Sequence, residues 1–232
     1  MALTNPQTEP QHALAVLVSE APGMRSREAG IVLAGSSAVR TLTSGMVIGK
    51  RLIGATCLLA VAHAGNTGAG VFSSSPDVTV TGPAKRGVYR LKLLSAGATG
   101  VFIVFDPDGI EIGKGAVGSA FAKGGLSFTL ADGSPDFAVG DGFDLEISGG
   151  TDKWLAVDAA GTLGEQNAEG ILLSPETITA PDGSDISGAA VLVRDAEVNK
   201  NELVWPSGAS ADAKEDWLLQ LNRLGIFERP AV

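Results

Sequence analysis

The chain is short of histidine, cysteine and aromatic rings. Its 232 residues include two histidines, His12 and His63, one cysteine and 5% aromatic residues. With so few histidines, no G-x-S-x-G stretch and no metal-binding pair, acid–base and triad chemistry lack their usual groups. Carboxylates are plentiful, but nothing selects a pair of them. The expectation is no enzyme, with no catalytic residue, no cofactor and no metal ligand. The lone Cys57 excludes an intrachain disulfide, and its setting, ATCLLAV, predicts a buried apolar thiol. Basic clusters are missing as well. A net charge of −9 and a pI near 4.7 argue against nonspecific attraction to nucleic acid or anionic membrane. The first twenty residues, MALTNPQTEPQHALAVLVSE, lack the basic start and long apolar core of a signal peptide, and no apolar run approaches the length of a membrane span. This predicts a soluble protein made in the cytoplasm.

Glycine and apolar residues are abundant. Thirty-one glycines and eleven prolines, with 44% apolar content, predict a packed core made of many short strands joined by tight turns. The expected fold is mainly β with a short C-terminal helix. Acidic residues concentrate after residue 150, which predicts a mutually repelling surface at that end.

Three textures follow one another along the chain. Residues 1–29 are interrupted by Pro6, Pro10, Pro22 and Gly23 everywhere except ALAVLV, and read as an arm whose apolar patch, Ala13 to Val18, suits addition to a neighbour's sheet edge. From Gly30 the strand-like GIVLAGSS and VRTLTSGMVIGKRLI begin a core domain, residues 30–64, that resumes over 151–232. Between them, residues 65–150 alternate β-rich runs with DG, GG and PDG turns, the pattern of an inserted small antiparallel β-sandwich.

Two motifs are accidents of composition. GKGAVG, Gly113 to Gly118, matches G-x-G-x-x-G but leaves no room for the helix that would hold a pyrophosphate, so hairpin turns are expected. GMVIGKR, Gly45 to Arg51, is one residue short of a P-loop and has Arg51 where a hydroxyl must reach the metal. Asp106, Asp108, Asp132, Asp136, Asp141 and Asp144 lack EF-hand spacing and read as turn residues.

The C-terminal stretch NELVWPSGASADAKEDWLLQL carries Trp205 and Trp217. Pro206 ends the apolar run Leu203 to Trp205 and Ser207-Gly208-Ala209 turns the chain. Ser210 stands as helix N-cap with Asp212 in the first turn, and Trp217, Leu218, Leu221 and Leu224 recur at helical spacing before a stop at Gly225.

The segments EAGIVLAGSSAVRTLTSGMVIGK, KWLAVDAAGTLGEQNAEGILL and VRDAEVNKNELVWPSGASADAKEDWLLQL together resemble the head decoration protein family of tailed bacteriophages. The Trp-Pro step before a small-residue turn and closing helix is the most specific part. The central module resembles the Gly-rich β insert of many phage decoration proteins. The resemblance implies an α+β, β-tulip-like core and a non-catalytic virion protein, made late and in the host cytoplasm. Such a protein caps threefold and quasi-threefold sites on the outside of the expanded capsid and stabilises it against internal DNA pressure. The partners it implies are the major capsid protein and two further copies in a homotrimer. The capsid-binding arm would use Thr4, Asn5, Pro6, Leu14, Val16 and Val18. Trp154, Trp205, Pro206, Trp217 and Leu221 would form the core or the subunit contact. The alternative is a carbohydrate- or host-surface-binding insert displayed on the virion, for which Tyr89, Phe137 and Phe143 are the nearby aromatic candidates.

Overall fold

Runs rich in Val, Ile and Leu, cut at short intervals by glycine and Asp-Gly turns, fold as strands because such side chains fit a pleated, half-buried surface. The computed structural model describes residues 14–22, 25–74, 76–174 and 177–230. Strands take up 47% of the chain and helix 8%, as a mainly β fold with one short C-terminal helix requires. In chain order the strands are β1 (Leu17–Glu20), β2 (Arg27–Val32), β3 (Arg40–Leu42), β4 (Val47–Ala62), β5 (Thr79–Val80), β6 (Gly87–Leu93), β7 (Val101–Phe105) and β8 (Glu111–Ala116). There follow β9 (Ala120–Lys123), β10 (Leu126–Thr129), β11 (Gly142–Ala156), β12 (Gly170–Leu172), β13 (Ile178–Ala180), β14 (Ile186–Leu192), β15 (Ala196–Asn199), the helix α1 (Ala211–Arg223) and β16 (Ile226–Arg229).

The chain divides into two units: Met1–Lys50, Lys153–Gly161 and Glu165–Val232 make one, and Arg51–Asp152 with Thr162–Gly164 make the other. The second starts at Arg51, earlier than the Gly65 boundary expected from composition. The reason is that β4 does not stop at its glycine: Gly54 takes a φ of 76° in open space and the strand runs on to Ala62.

In the first unit β2 pairs with β14, β14 with β12 and β12 with the start of β4, all antiparallel, while Lys153 and Trp154 of β11 run parallel to β2. Val157, just past β11, donates to the Val47 carbonyl at 3.3 Å and closes these strands into a small barrel. Successive side chains on a strand point to opposite faces. Ile48, Leu172 and Val191 therefore join Trp154 in one apolar cluster, and their chain neighbours Val47, Ile171 and Leu192 join another. The second cluster is roofed by the sheet β1–β15–β16 and by α1, whose Trp217 and Leu221 enter it. With both faces covered, all three residues of β12 are buried.

The described part of the expected arm, residues 1–29, carries strands. Its span contains β1 and the start of β2, and Val16 is 1% exposed in the same cluster as Trp217. The alternation Val16 buried, Val18 exposed is that of a strand with one face on a core, a signal legible in ALAVLV but outweighed by the flanking prolines.

In the second unit β11 pairs antiparallel with β6, β6 with β7 and β7 with β8, while a smaller sheet runs β5–β10–β9. Tyr89, Leu91 and Leu93 alternate inward along β6, and Phe143, Leu145 and Ile147 do so along β11. Phe121 and Phe128 bring the second sheet onto the same cluster, the two layers of a sandwich.

Candidate functional site

The C-terminal stretch folds as its residues dictate. Val204 bonds to Gly45 at 2.9 Å and its carbonyl accepts from Val47 at 3.1 Å, which ties the Trp-Pro step to the barrel rim. Ser210 caps α1 by accepting from the Ala213 amide at 3.1 Å, Asp212 lies in the first turn, and Gly225, at a φ of 78°, lets the chain reverse into β16. Trp205 and Trp217 stack with centroids 6.1 Å apart and planes 12° from parallel. The inner ring, Trp217, is 2% exposed, and its indole N–H donates to the Gln166 carbonyl at 2.9 Å. The outer ring, Trp205, and Pro206 are half-buried.

Sequence reasoning missed the outer side of this helix. Leu218 and Leu219 follow Trp217 directly, and three consecutive residues span too wide an arc for one buried face, so Leu219 stands 53% exposed. It borders an open groove of about 580 Å³ whose apolar lining is Trp205, Ala211, Leu218 and Leu219. The run of three large apolar residues was the available signal.

β1 is one of the two outer strands of the sheet β1–β15–β16, the other being β16. Leu17 lies opposite Val198, and Asn199 donates to the Val16 carbonyl at 2.8 Å. Of the expected arm residues, Leu14 and Val18 are about half exposed, Val16 is core, and Thr4, Asn5 and Pro6 lie outside the described residues. Trp154 belongs to the barrel's other cluster, away from Trp205 and Trp217, with the Lys50 ammonium 5.1 Å over its ring. Burial of Trp154, Trp217 and Leu221 within the chain leaves Trp205 and Pro206 as the half-buried members of that set.

In the second unit the aromatic candidates for a sugar platform are core residues: Tyr89 is 1%, Phe137 1% and Phe143 3% exposed. These three rings are closed to stacking on a ligand, which needs an open ring face. Of the expected turn aspartates, Asp144 instead stands on β11 with its carboxylate 3.1 Å from His63 Nε2, while Asp106 and Asp141 serve turns. Asp106 accepts from the amides of Asp108 and Ile110 and from Lys85 Nζ at 2.7 Å. Burial raises its carboxyl, but these donors lower it more, to below the ordinary range, and the Asp106 and Asp108 carboxylates hold the Lys85 ammonium up to about 12. Asp141 accepts from Thr67, Gly68 and Ala138 amides at 2.8 to 2.9 Å. Among the described residues no group of three or more His, Cys, Asp or Glu side chains is placed to hold a metal. The G-x-G-x-x-G match lies on β8 and its turn, with Gly115 packed under the Phe102 ring. Cys57 is half-buried, and burial pushes its thiol up. No described helix is long and apolar enough to cross a membrane.

A sequence profile of the bacteriophage lambda head decoration protein D family matches residues 6–226. The chain belongs to that family. The family's members are structural proteins of the phage capsid, so this is a phage head decoration protein of the virion. The match extends through both units, so the family assignment takes in the inserted sandwich as well as the barrel. No curated protein matches significantly. Two crystal structures of Xanthomonas campestris FlgL are similar over part of the chain. One is 24% identical over 46% of this chain, with a TM-score of 0.32, and the other 22% identical over 50%, with a TM-score of 0.30. Each match spans 33% of the FlgL chain, and likeness at that level carries no argument about fold or function.

Proposed function

We propose that this decoration protein is a cement. It binds the outside of the expanded shell as a homotrimer at threefold and quasi-threefold sites, contacts the major capsid protein, and stabilises the head against the pressure of packaged DNA. The observation that carries the reading is the placement of β1. It is an outer strand, and Val18 on it and Leu14 shortly before it are exposed. An outer strand offers unpaired backbone groups to a partner's extended segment. Three such contacts in one trimer engage together, so individually weak contacts give slow release. A ligand that binds only the expanded shell stabilises that state by mass action. The acidic surface keeps free copies apart until they dock.

Removal of Met1–Ala13 is the test. The cut spares Val16 and β1, so the barrel stays folded. The truncated protein is expected to remain in the supernatant when expanded shells are sedimented, whereas the full chain pellets with them. Undiminished binding of the truncated protein would overturn the role given to this segment.

A further inference from the structure

The larger sheet of the sandwich has two edges, and they are built differently. β8 ends the sheet with Glu111 and Lys114 on it and Gly113 and Gly115 between them. Charge and glycine are means by which an edge avoids pairing with another chain. The second edge is on β4. Its neighbours in the sheet are β12 and β11, and β12 meets it near its start, at Val47 and Ile48. Leu52 then donates to the Gly82 carbonyl at 3.2 Å, and past it no described strand pairs with β4 on that side.

Residues 53–62, IGATCLLAVA, hold no charged residue and no proline to blunt this edge. Leu58 and Leu59 are 57% and 55% exposed, and Val61 is 49% exposed. Unpaired backbone beside apolar side chains is a template for another extended strand.

Charge selects the strand that fits. A charged segment would find no counter-charge on residues 53–62, whereas the same strand of a second copy brings none and matches it in length and apolar content. The contact also lies in the less charged unit: seven basic and ten acidic residues belong to the second unit, so most of the net charge of −9 is carried by the first. Identical strands pair antiparallel about a twofold axis, the commonest symmetry of contact between copies.

We infer that residues 53–62 of β4 pair antiparallel with the same residues of a second copy, joining two sandwich sheets into one. Two bodies of like charge repel, and Asp77 and Glu146 lie close enough to act on Cys57 in the middle of the strand, so the pairing is weak in dilute solution at low salt. It gains where copies are held side by side. On the cementing reading, neighbouring threefold positions of a shell are related by twofold axes, and the contact joins adjacent trimers there; the strand pairing itself does not depend on that reading.

Hydrogen exchange of the free, full-length protein tests it with no shell present. Raising the protein from about 1 μM to about 1 mM should slow exchange of residues 53–62 about tenfold, the effect of pairing in nine copies of ten. The slowing should be greater in about 1 M salt, where the Debye length falls to about 3 Å. Residues of β8 should not respond. Leu58 stands at the middle of the edge and is exposed, so Leu58→Lys and Leu58→Glu keep the fold but set like charges against each other across the twofold axis. Each variant alone should lose the slowing, and an equimolar mixture of the two should regain it. Exchange that does not slow in the unaltered protein would overturn the inference, as would slowing that persists in either variant alone. A mixture that fails to regain it would also overturn it, because the strand's partner would then not be its own twin.

Discussion

The two units build their cores from different rings. All three tryptophans lie in the barrel unit, and every phenylalanine except Phe227 lies in the sandwich unit. In the sandwich, Phe102, Phe121 and Phe128 stack or tilt with centroids 4.9 to 5.8 Å apart, and Phe72 meets Phe128 and Phe143 edge-on at 5.2 and 5.1 Å. A phenylalanine cluster asks only for apolar burial, so the polar fastening of this unit falls to other groups: the carboxylates of Asp106 and Asp141 at its turns and the buried Tyr89 hydroxyl, which accepts from the Lys85 amide at 2.7 Å. The barrel unit fastens itself through the rings: the Trp217 N–H closes onto a loop carbonyl, and Ser210 caps the helix that carries it. The difference teaches where a surface can be spared. The phenylalanine cluster closes on itself, whereas the tryptophan pair is half in and half out, and its outer ring faces the groove.

The largest expected effect separates the two cores. Trp217→Ala should cost about 3–5 kcal/mol in the barrel unit, from lost burial and a cavity at the stack. Phe128→Ala should cost about 3–4 kcal/mol in the sandwich. Thermal unfolding followed by tryptophan emission, which reports the barrel alone, should show a large shift for the first variant and a small one for the second. Equal shifts would mean that the two units unfold as one, and the comparison would fail.

A smaller effect sharpens the polar side. Burial raises the Asp141 carboxyl, but the amides of Ala138, Thr67 and Gly68 together lower it by more, so it titrates below the ordinary aspartate range. Its contribution is complete above that range and is lost as the pH falls through the lowered value. Asp141→Asn should therefore cost about 1–2 kcal/mol at neutral pH. It should also flatten the loss of sandwich stability below about pH 4, where aspartates ordinarily protonate. Denaturant titrations at neutral pH and at acid pH check both; an unchanged acid slope would remove the turn carboxylate from the account.

The smallest effect is in the barrel. Ser210→Ala should lower stability by about 1 kcal/mol through loss of the helix cap, with the sandwich transition unmoved. Separate melts of the two units would read it.

The N-cap, the first-turn acid, the Gly225 stop and the Trp-Pro turn were legible in the sequence because each is a local signal with a local cause. So was the turn chemistry of Asp106 and Asp141. Two features were not legible. The start of the insert at Arg51 depends on β4 continuing past Gly54, and a strand's pairing partners are not written in its own composition. The packing of Val16 depends on β15, far along the chain, and local prolines argued the other way. The groove was half visible: Trp217, Leu218 and Leu219 in sequence announce an exposed apolar side, but which strand and turn complete it is a matter of tertiary packing.

The central claim, that this protein cements an expanded head, is tested most directly by cryo-microscopy of expanded shells lacking it, after mixing with the purified full chain. The account predicts density on the outer surface at the threefold and quasi-threefold positions, in groups of three copies. Expanded shells that stay bare at saturating protein would contradict it.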